Sequence, residues 1–113
     1  QFAGLAALTG PKDAVVEMVS QFDSRRRVIV EALNDLPGVR CADAAGAFYA
    51  FPNISSTGLS AKEAQDLFLD QAGVATVAGT SFGEHGEGFV RFSYANSAEN
   101  ILRAVDRIRP LIG

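Results

Sequence analysis

The chain has 113 residues, of which 48% are hydrophobic and 20% are charged, a composition typical of one ordinary globular domain. Its net charge of −3 argues against a nucleic-acid partner, and no apolar run approaches the roughly 18 residues that a membrane span needs. The single cysteine, Cys41, excludes an internal disulfide and a cysteine-based zinc site, and it favours a reducing, cytoplasmic setting.

Two helices are predicted at the start of the chain. Residues 1–8, QFAGLAAL, lack the charged start and the cleavage site of a signal peptide. They resemble the last turns of a helix whose start is missing, so we expect a fragment of a longer protein. Gly10 and Pro11 predict the end of this helix and the first turn of the next. The second helix is long and amphipathic and ends at Pro37 and Gly38. Its apolar positions are Val15, Met18, Phe22, Ile29, Ala32, Leu33 and Leu36.

Strands and a third helix follow. The pattern predicts a short strand at 39–41 and a clear one at 46–53, with the sequence GAFYAFPN. The third helix begins after Ser60, which forms a capping box with Glu63, and it ends at Gly73.

The last third of the chain completes the predicted fold. Residues 74–79 indicate a short buried strand, 79–88 a glycine-rich loop, and 89–95 another strand, after which Ser97 caps a final helix. The apolar stripe of this helix is Ile101, Leu102, Val105, Ile108 and Ile112. The order of elements predicts a single α+β domain over 1–113, a small two-layer sandwich whose short, largely antiparallel sheet is packed by helices.

Arg91 stands inside an otherwise apolar strand. Because side chains alternate along a strand, Arg91 shares one face with Phe89 and Ser93. The opposite, core face carries Val90, Phe92 and Tyr94. The planar guanidinium matches a carboxylate with two parallel hydrogen bonds, and the small Ser93 leaves room for an acidic ligand. The other interpretation is a solvated arginine on the exposed face of an antiparallel sheet.

Other candidate groups have simpler interpretations. The loop at 79–88 matches no phosphate-binding fingerprint, and its lone His85 has no second histidine for a metal site. Ser81 and Ser93 have no base that the sequence places near them, so no nucleophile is predicted. Cys41 is typical of a small core residue rather than a reactive thiol.

Two clusters of similar side chains also stand out. The three arginines at 25–27 splay around a helix, which indicates a solvated face with ion pairs. Phe48, Tyr49 and Phe51 place rings on both faces of one strand, which predicts a sheet covered on both sides. Core packing is one interpretation of these rings, and a strand wall behind a ligand is the other.

Three segments carry a family resemblance: LPGVRCADAAGAFYAFPNI, QAGVATVAGTSFGEHGEGFVRFSYANS and AENILRAVDRIRPLI. In this order and spacing they resemble the carboxy-terminal small domain of fold-type I, pyridoxal-phosphate-dependent aminotransferases, and within them the class I/II, aspartate aminotransferase-like branch. The resemblance extends over essentially the whole chain, with residues 1–10 similar to the end of the helix that enters this domain.

The resemblance implies roles for two residues. In this family the arginine of an R-x-S-x-A strand pairs with the α-carboxylate of the amino-acid substrate, and Arg91 matches it, followed by Ser93 and Ala95. Phe48 matches a position whose ring lies near the substrate pocket. We therefore expect Arg91 and Phe48 to be substrate-binding residues.

The resemblance also implies what the fragment lacks. The family's Schiff-base lysine, its cofactor-pairing aspartate and its phosphate-binding groups lie in a large domain that would precede residue 1, and Lys12 and Lys62 match no Schiff-base motif. We expect no catalytic, cofactor-binding or metal-binding residue here, and no activity from the fragment alone. The parent enzyme would be a cytoplasmic homodimer that uses pyridoxal 5'-phosphate to move an amino group between an amino acid and a 2-oxo acid. Related members run lyase, decarboxylase or acyl-transfer reactions.

Two functions from other classes remain open. A stand-alone module for small carboxylic acids would use Arg91 without a cofactor and would bind amino or oxo acids by itself. A structural or protein-interaction module would leave Arg91 solvated and would tolerate its replacement by alanine.

Overall fold

Four α-helices and one three-stranded antiparallel sheet make up the fold, in a computed structural model that describes residues 1–112. The helices are α1 (Phe2–Thr9), α2 (Asp13–Asn34), α3 (Ala61–Ala72) and α4 (Ala98–Ile108). The strands are β1 (Tyr49–Ala50), β2 (Val77–Ala78) and β3 (Val90–Ser93). Helices packed on a short antiparallel sheet confirm the predicted α+β class.

The central strand of the sheet is β3, with β1 on one side and β2 on the other. Both pairings are antiparallel: Tyr49 lies opposite Ser93 in the first, and Val77 lies opposite Arg91 in the second. The core face carries the buried side chains of Val90, Phe92 and Tyr94. Arg91 is half-buried on the opposite face, so the predicted alternation is confirmed.

Helices α2, α3 and α4 pack against the core face of the sheet. Their main buried side chains are Ile29 and Leu33 of α2, Phe68 of α3, and Ile101, Val105 and Ile108 of α4. Ser60 and Glu63 form the predicted capping box at the start of α3, and Gly73 ends that helix with φ 65. The Ser97 side chain caps α4, also as predicted.

The first half of α2 departs from the predicted core stripe. Val15 and Met18 are exposed, and the helix begins at Asp13, so that Pro11 precedes it instead of lying in its first turn. Helical spacing shows which residues share a face, but it does not show what covers that face, and no element within residues 1–112 buries this one. Leu102 of α4, also predicted in the stripe, is 46% exposed beside the groove between α2 and α4.

The strand predicted at 46–53 is shorter than expected. Within it only β1 pairs as a strand, and the short strand predicted before it is reduced to a single bridge between Arg40 and Asn53. Ala47 has φ 58, a left-handed conformation that a continuous strand does not contain. Pro52 has no N–H to donate to a neighbouring strand. The turn and the proline therefore limit the continuous strand to two residues, and beyond it Asn53 forms isolated bridges with Arg40 and Phe89.

Candidate functional site

Arg91 lies on the open face of the central strand. Its backbone is held by the β2–β3 pairing, and its side chain is half-buried. Three other arginines have acidic partners: Arg26 and Arg27 pair with Asp23, and Arg109 pairs with Asp35. Arg25 is also half-buried and lies 5.5 Å from the Phe22 ring centroid, but it has one ring against it where Arg91 has two. Arg91 forms no ion pair with any side chain in the described part of the chain.

Two aromatic rings contact the Arg91 guanidinium. Its Cζ lies 4.2 Å from the ring centroid of Tyr49 and 4.7 Å from that of Phe82, within the distance range of cation–π interactions. Tyr49 comes from β1 and Phe82 from the segment after β2, so the rings approach from both sides of the central strand. Neither Tyr49 nor Phe82 is an acidic residue that could form an ion pair with the guanidinium. The guanidinium thus contacts two aromatic rings, and no acidic side chain of the described residues pairs with it.

The loop that carries Phe82 consists of two short 3-10 turns, Gly79–Phe82 and Glu84–Gly86, rather than an open flexible connection. A Cβ on Gly79 would lie 2.1 Å from the carbonyl oxygen of Gly86, so the two turns touch backbone to backbone, and only glycine fits. This close packing gives Phe82 a defined position over Arg91.

Two side chains fasten this loop to α3. The Glu87 carboxylate accepts hydrogen bonds from the backbone N–H groups of Ala61, at 2.8 Å, and Gly88, at 3.0 Å. An acidic group at a helix N-terminus is stabilised by the exposed N–H groups and the helix dipole. The Gln65 side chain accepts a hydrogen bond from the N–H of Ala78, 2.9 Å away, at the end of β2.

Phe48, the other predicted site residue, lies next to this arrangement. Its ring centroid is 4.4 Å from that of Tyr49 and 6.1 Å from that of Phe22 in α2. Phe48 is linked to Arg91 through Tyr49 and is 40% exposed. Phe51 is also 40% exposed, so the prediction that the sheet is covered on both sides is not met by the described residues.

The remaining candidates have the structural surroundings that their simpler interpretations predict. His85 is fully exposed, with only Glu84 nearby, and no three metal-ligating side chains are grouped anywhere in residues 1–112. Cys41 is buried, and this burial raises the pKa of its thiol. Hydrogen bonds from Arg26 and Arg27 lower the pKa of Asp23, which confirms the ion pairs expected on that helix face.

Both lysines of the chain have partners among the described residues. Lys12 is exposed and donates to the carbonyl of Ala7, while Lys62 pairs with Asp66 on the outer face of α3. The two 3-10 turns pack against each other and leave no cradle of N–H groups for a phosphate. None of the helices in residues 1–112 has the length and apolar character needed to cross a membrane.

Sequence reasoning missed Tyr49 and Phe82. Tyr49 could be found only by pairing β1 with β3 in the correct register, because a one-residue slip would place Phe48 on the face of Arg91 instead. For Phe82, the sequence offers the neighbouring Gly79 and Gly83 as a signal. Glycines mark turns in a loop, and such turns can place the ring between them.

Comparison with known proteins gives consistent matches. The family model "Aminotransferase class I and II" matches residues 1–108. The aspartate aminotransferase of Pyrococcus horikoshii is 43% identical over 110 residues, which cover 96% of this chain and 28% of that protein. The solved alanine aminotransferase from Pyrococcus furiosus has a TM-score of 0.93 at 36% identity, covering 98% of this chain and 28% of that one. The aspartate aminotransferase from Thermus thermophilus with maleate has a TM-score of 0.84 at 37% identity, covering 98% and 29%. The chain spans less than a third of the length of each of these three proteins.

Proposed function

Since the chain belongs to the class I and II aminotransferase family, we propose that it is the small domain of an aminotransferase and that Arg91 binds the α-carboxylate of the substrate. The observation that carries this proposal is a half-buried guanidinium that contacts two rings and has no acidic partner among residues 1–112. Removing a cation partly from water without pairing it is unfavourable, so this position favours an incoming anion.

The geometry of an arginine suits this anion in particular. Its N–H donors lie in one plane and match the two oxygens of a carboxylate, whereas lysine offers only a point charge. Two parallel hydrogen bonds fix both the position and the rotation of the carboxylate. The substrate's Cα, one bond away, is then restricted in orientation, which is the positioning effect that lowers the barrier of a subsequent step.

One carboxylate site serves both halves of an amino transfer, because the amino acid and the 2-oxo acid share the same α-carboxylate. The names of the relatives support this class: they act on aspartate and alanine, and one was solved with maleate, a dicarboxylate. Phe48 is also proposed as a substrate-binding residue, on the family resemblance alone, since it lies on the face opposite Arg91 and contacts Phe22 and Tyr49.

The cofactor belongs to the rest of the enzyme in this proposal. Pyridoxal phosphate would supply the electron sink for the reaction, and it would be held by residues outside this chain. The chain alone would then transfer no amino groups. We further propose that the full-length enzyme is a homodimer in the cytoplasm, and the single cysteine of this chain is consistent with a reducing compartment.

The test uses the full-length gene product, loaded with pyridoxal phosphate. Its cofactor absorption band should shift when the amino-acid substrate is added. Arg91→Ala should lower kcat/KM by roughly 10²–10⁴-fold, because two charge-assisted hydrogen bonds are lost. The kcat/KM of Arg91→Lys should lie between that of Arg91→Ala and that of the wild type.

A matched control is Arg103→Ala on α4, since Arg103 is exposed and contacts only Asn100. Its kcat/KM should equal that of the wild type. If Arg91→Ala behaved like Arg103→Ala, the role proposed for Arg91 would be wrong. If no amino acid shifted the cofactor band, the aminotransferase activity itself would be wrong.

A further inference from the structure

We propose, resting on the function proposed for Arg91, that Tyr49 and Phe82 are positioning residues: they hold the guanidinium so that only its donor edge meets the substrate carboxylate. Both rings lie over the guanidinium carbon, at 4.2 Å for Tyr49 and 4.7 Å for Phe82. The proposed contact of each ring is with a flat face of the group. The N–H donors point outward in the plane, so they are not covered by a ring that lies over the centre.

This arrangement counters the main weakness of arginine as a binding group, its flexibility. A free arginine side chain loses rotamer freedom when it binds a ligand, which costs affinity. Rings from β1 and from the segment after β2 restrict the side chain before the ligand arrives. The π faces also attract the cation without offering an acceptor that would compete with the carboxylate for its N–H donors.

The position of each ring is fixed by its own neighbours. Phe51 contacts the Phe82 ring edge-on, with centroids 6.1 Å apart and an interplanar angle of 82°. Phe51 in turn stacks on Phe89, at 5.3 Å and 11°. Tyr49 packs against Phe48, whose centroid lies 4.4 Å away. The two rings over Arg91 are therefore the inner members of an aromatic layer on the open face of the sheet.

Selectivity between anions follows from this geometry. A guanidinium that is held by its faces and approached at its edge suits a planar carboxylate, which places two oxygens in the same plane. A tetrahedral sulfonate can place two oxygens there only with a third directed out of the plane, toward the rings. We expect Tyr49 and Phe82 to favour carboxylates over sulfonates of the same chain length, and we expect this preference to weaken when the rings are removed.

The experiment uses the full-length holoenzyme and two non-reacting competitive inhibitors, 3-phenylpropionate and its sulfonate analogue. Tyr49→Leu and Phe82→Leu remove one ring each and keep apolar volume, and the double variant removes both. Each single change should weaken 3-phenylpropionate binding by roughly 3- to 10-fold, and the preference for carboxylate over sulfonate should fall with it. Tyr49→Phe and Phe82→Tyr, which keep a ring, should restore both affinity and preference.

Two comparisons separate positioning from general damage. Phe89→Leu removes a ring that reaches Arg91 only through Phe51 and Phe82, so it should weaken inhibitor binding and the anion preference less than Phe82→Leu does. In an Arg91→Ala background, Tyr49→Leu and Phe82→Leu should have no further effect on inhibitor binding, because the rings act only through the guanidinium.

The outcomes distinguish this proposal from the function on which it rests. If Arg91→Ala leaves 3-phenylpropionate binding unchanged, the carboxylate site itself is wrong. If Arg91→Ala weakens binding but the leucine variants do not, the site stands and the positioning role is overturned. The positioning role is also overturned if Phe89→Leu weakens binding and shifts the anion preference as much as Phe82→Leu does.

Discussion

The hydroxyl group of Tyr94 donates a hydrogen bond to the backbone carbonyl of Ala47, 3.0 Å away and 47 residues earlier in the chain. The backbone N–H of Tyr94 also donates to the carbonyl of Phe48, at 2.9 Å. Tyr94 is 1% exposed, whereas Ala47 lies in an exposed turn with φ 58. A buried residue of the central sheet therefore anchors the turn from which Phe48 and Tyr49 extend.

Replacing Tyr94 by phenylalanine removes only the hydroxyl group of this anchor. The carbonyl of Ala47 is left without this donor, so the change should lower the stability of the region by about 1–2 kcal/mol. Hydrogen exchange of residues 46–50 in the full-length protein should become faster. Ala47→Gly removes the steric strain of the left-handed conformation and keeps the hydrogen bond. Exchange in this variant should rise only by the amount that the greater flexibility of glycine accounts for. Equal protection in Tyr94→Phe and wild type would show that the turn does not depend on this bond.

Alkaline pH should destabilise the fold through the same residue. Burial raises the pKa of the Tyr94 phenol above its ordinary value of 10.0. Above that value the unfolded chain releases the proton while the folded chain keeps it, so stability falls as pH rises. The unfolding temperature should drop as the pH rises through 10.0 and beyond, and Tyr94→Phe should show a smaller drop. Identical pH profiles for the two proteins would refute this link.

The contact between Gly79 and Gly86 should tolerate no side chain. A Cβ at position 79 would lie 2.1 Å from one carbonyl oxygen and 2.8 Å from that of Phe89, so Gly79→Ala must push the two 3-10 turns apart. We expect a loss of roughly 1–3 kcal/mol in stability. Carboxylate affinity should also weaken, because Phe82 would move away from Arg91.

Gly46→Ala is the matched control for this change. Gly46 lies in an exposed turn, and an added Cβ there would meet nothing within 4 Å. Thermal unfolding and inhibitor binding of this variant should equal those of the wild type. A Gly79→Ala protein that was as stable as Gly46→Ala would mean that the turns can separate without cost.

The features of the fold and of the candidate site that could be predicted from the sequence are those that depend on residues close together in the chain. The capping box of Ser60 and Glu63 and the alternation around Arg91 involve neighbours in the chain, and both are confirmed. The contacts of Arg91 with Tyr49 and Phe82 join segments 42 and 9 residues away, and they depend on strand register and on the path of a loop. Periodicity carries no information about either.

The turn before β1 shows a second limit. GAFYAFPN has the composition of a strand, and β-branched or aromatic content alone predicts pairing over its whole length. The backbone N–H of Tyr94 continues the β1–β3 pairing to Phe48, but its hydroxyl group bonds the carbonyl of Ala47, a residue in the left-handed conformation. A tertiary hydrogen bond thus overrides the local preference, and a single sequence does not reveal it.

Cys41 should react slowly with alkylating reagents. Cys41 is 7% exposed, and burial raises the pKa of its thiol, so little thiolate is present near neutral pH. The Asn34 side chain holds the same residue by accepting from its N–H, at 2.8 Å, and donating to its carbonyl, at 2.9 Å. Asn34→Ala should loosen the segment and increase iodoacetamide labelling, measured by mass spectrometry of the peptide that contains Cys41. Rapid labelling of the native protein would show that the thiol is accessible.

The apolar side chains of α1 should make the chain self-associate when it is produced alone. No residue of α1 is buried, and Phe2, Leu5 and Leu8 are 91%, 60% and 79% exposed. Exposed apolar area of this kind drives association in water, since residues 1–112 offer nothing that covers it. Sedimentation should show a mass that rises with concentration, and Leu5→Gln with Leu8→Gln should reduce it. Leu69→Gln, at a 52% exposed position on α3, is the matched control and should leave the association unchanged. A chain that sediments as a monomer at every concentration would contradict this expectation.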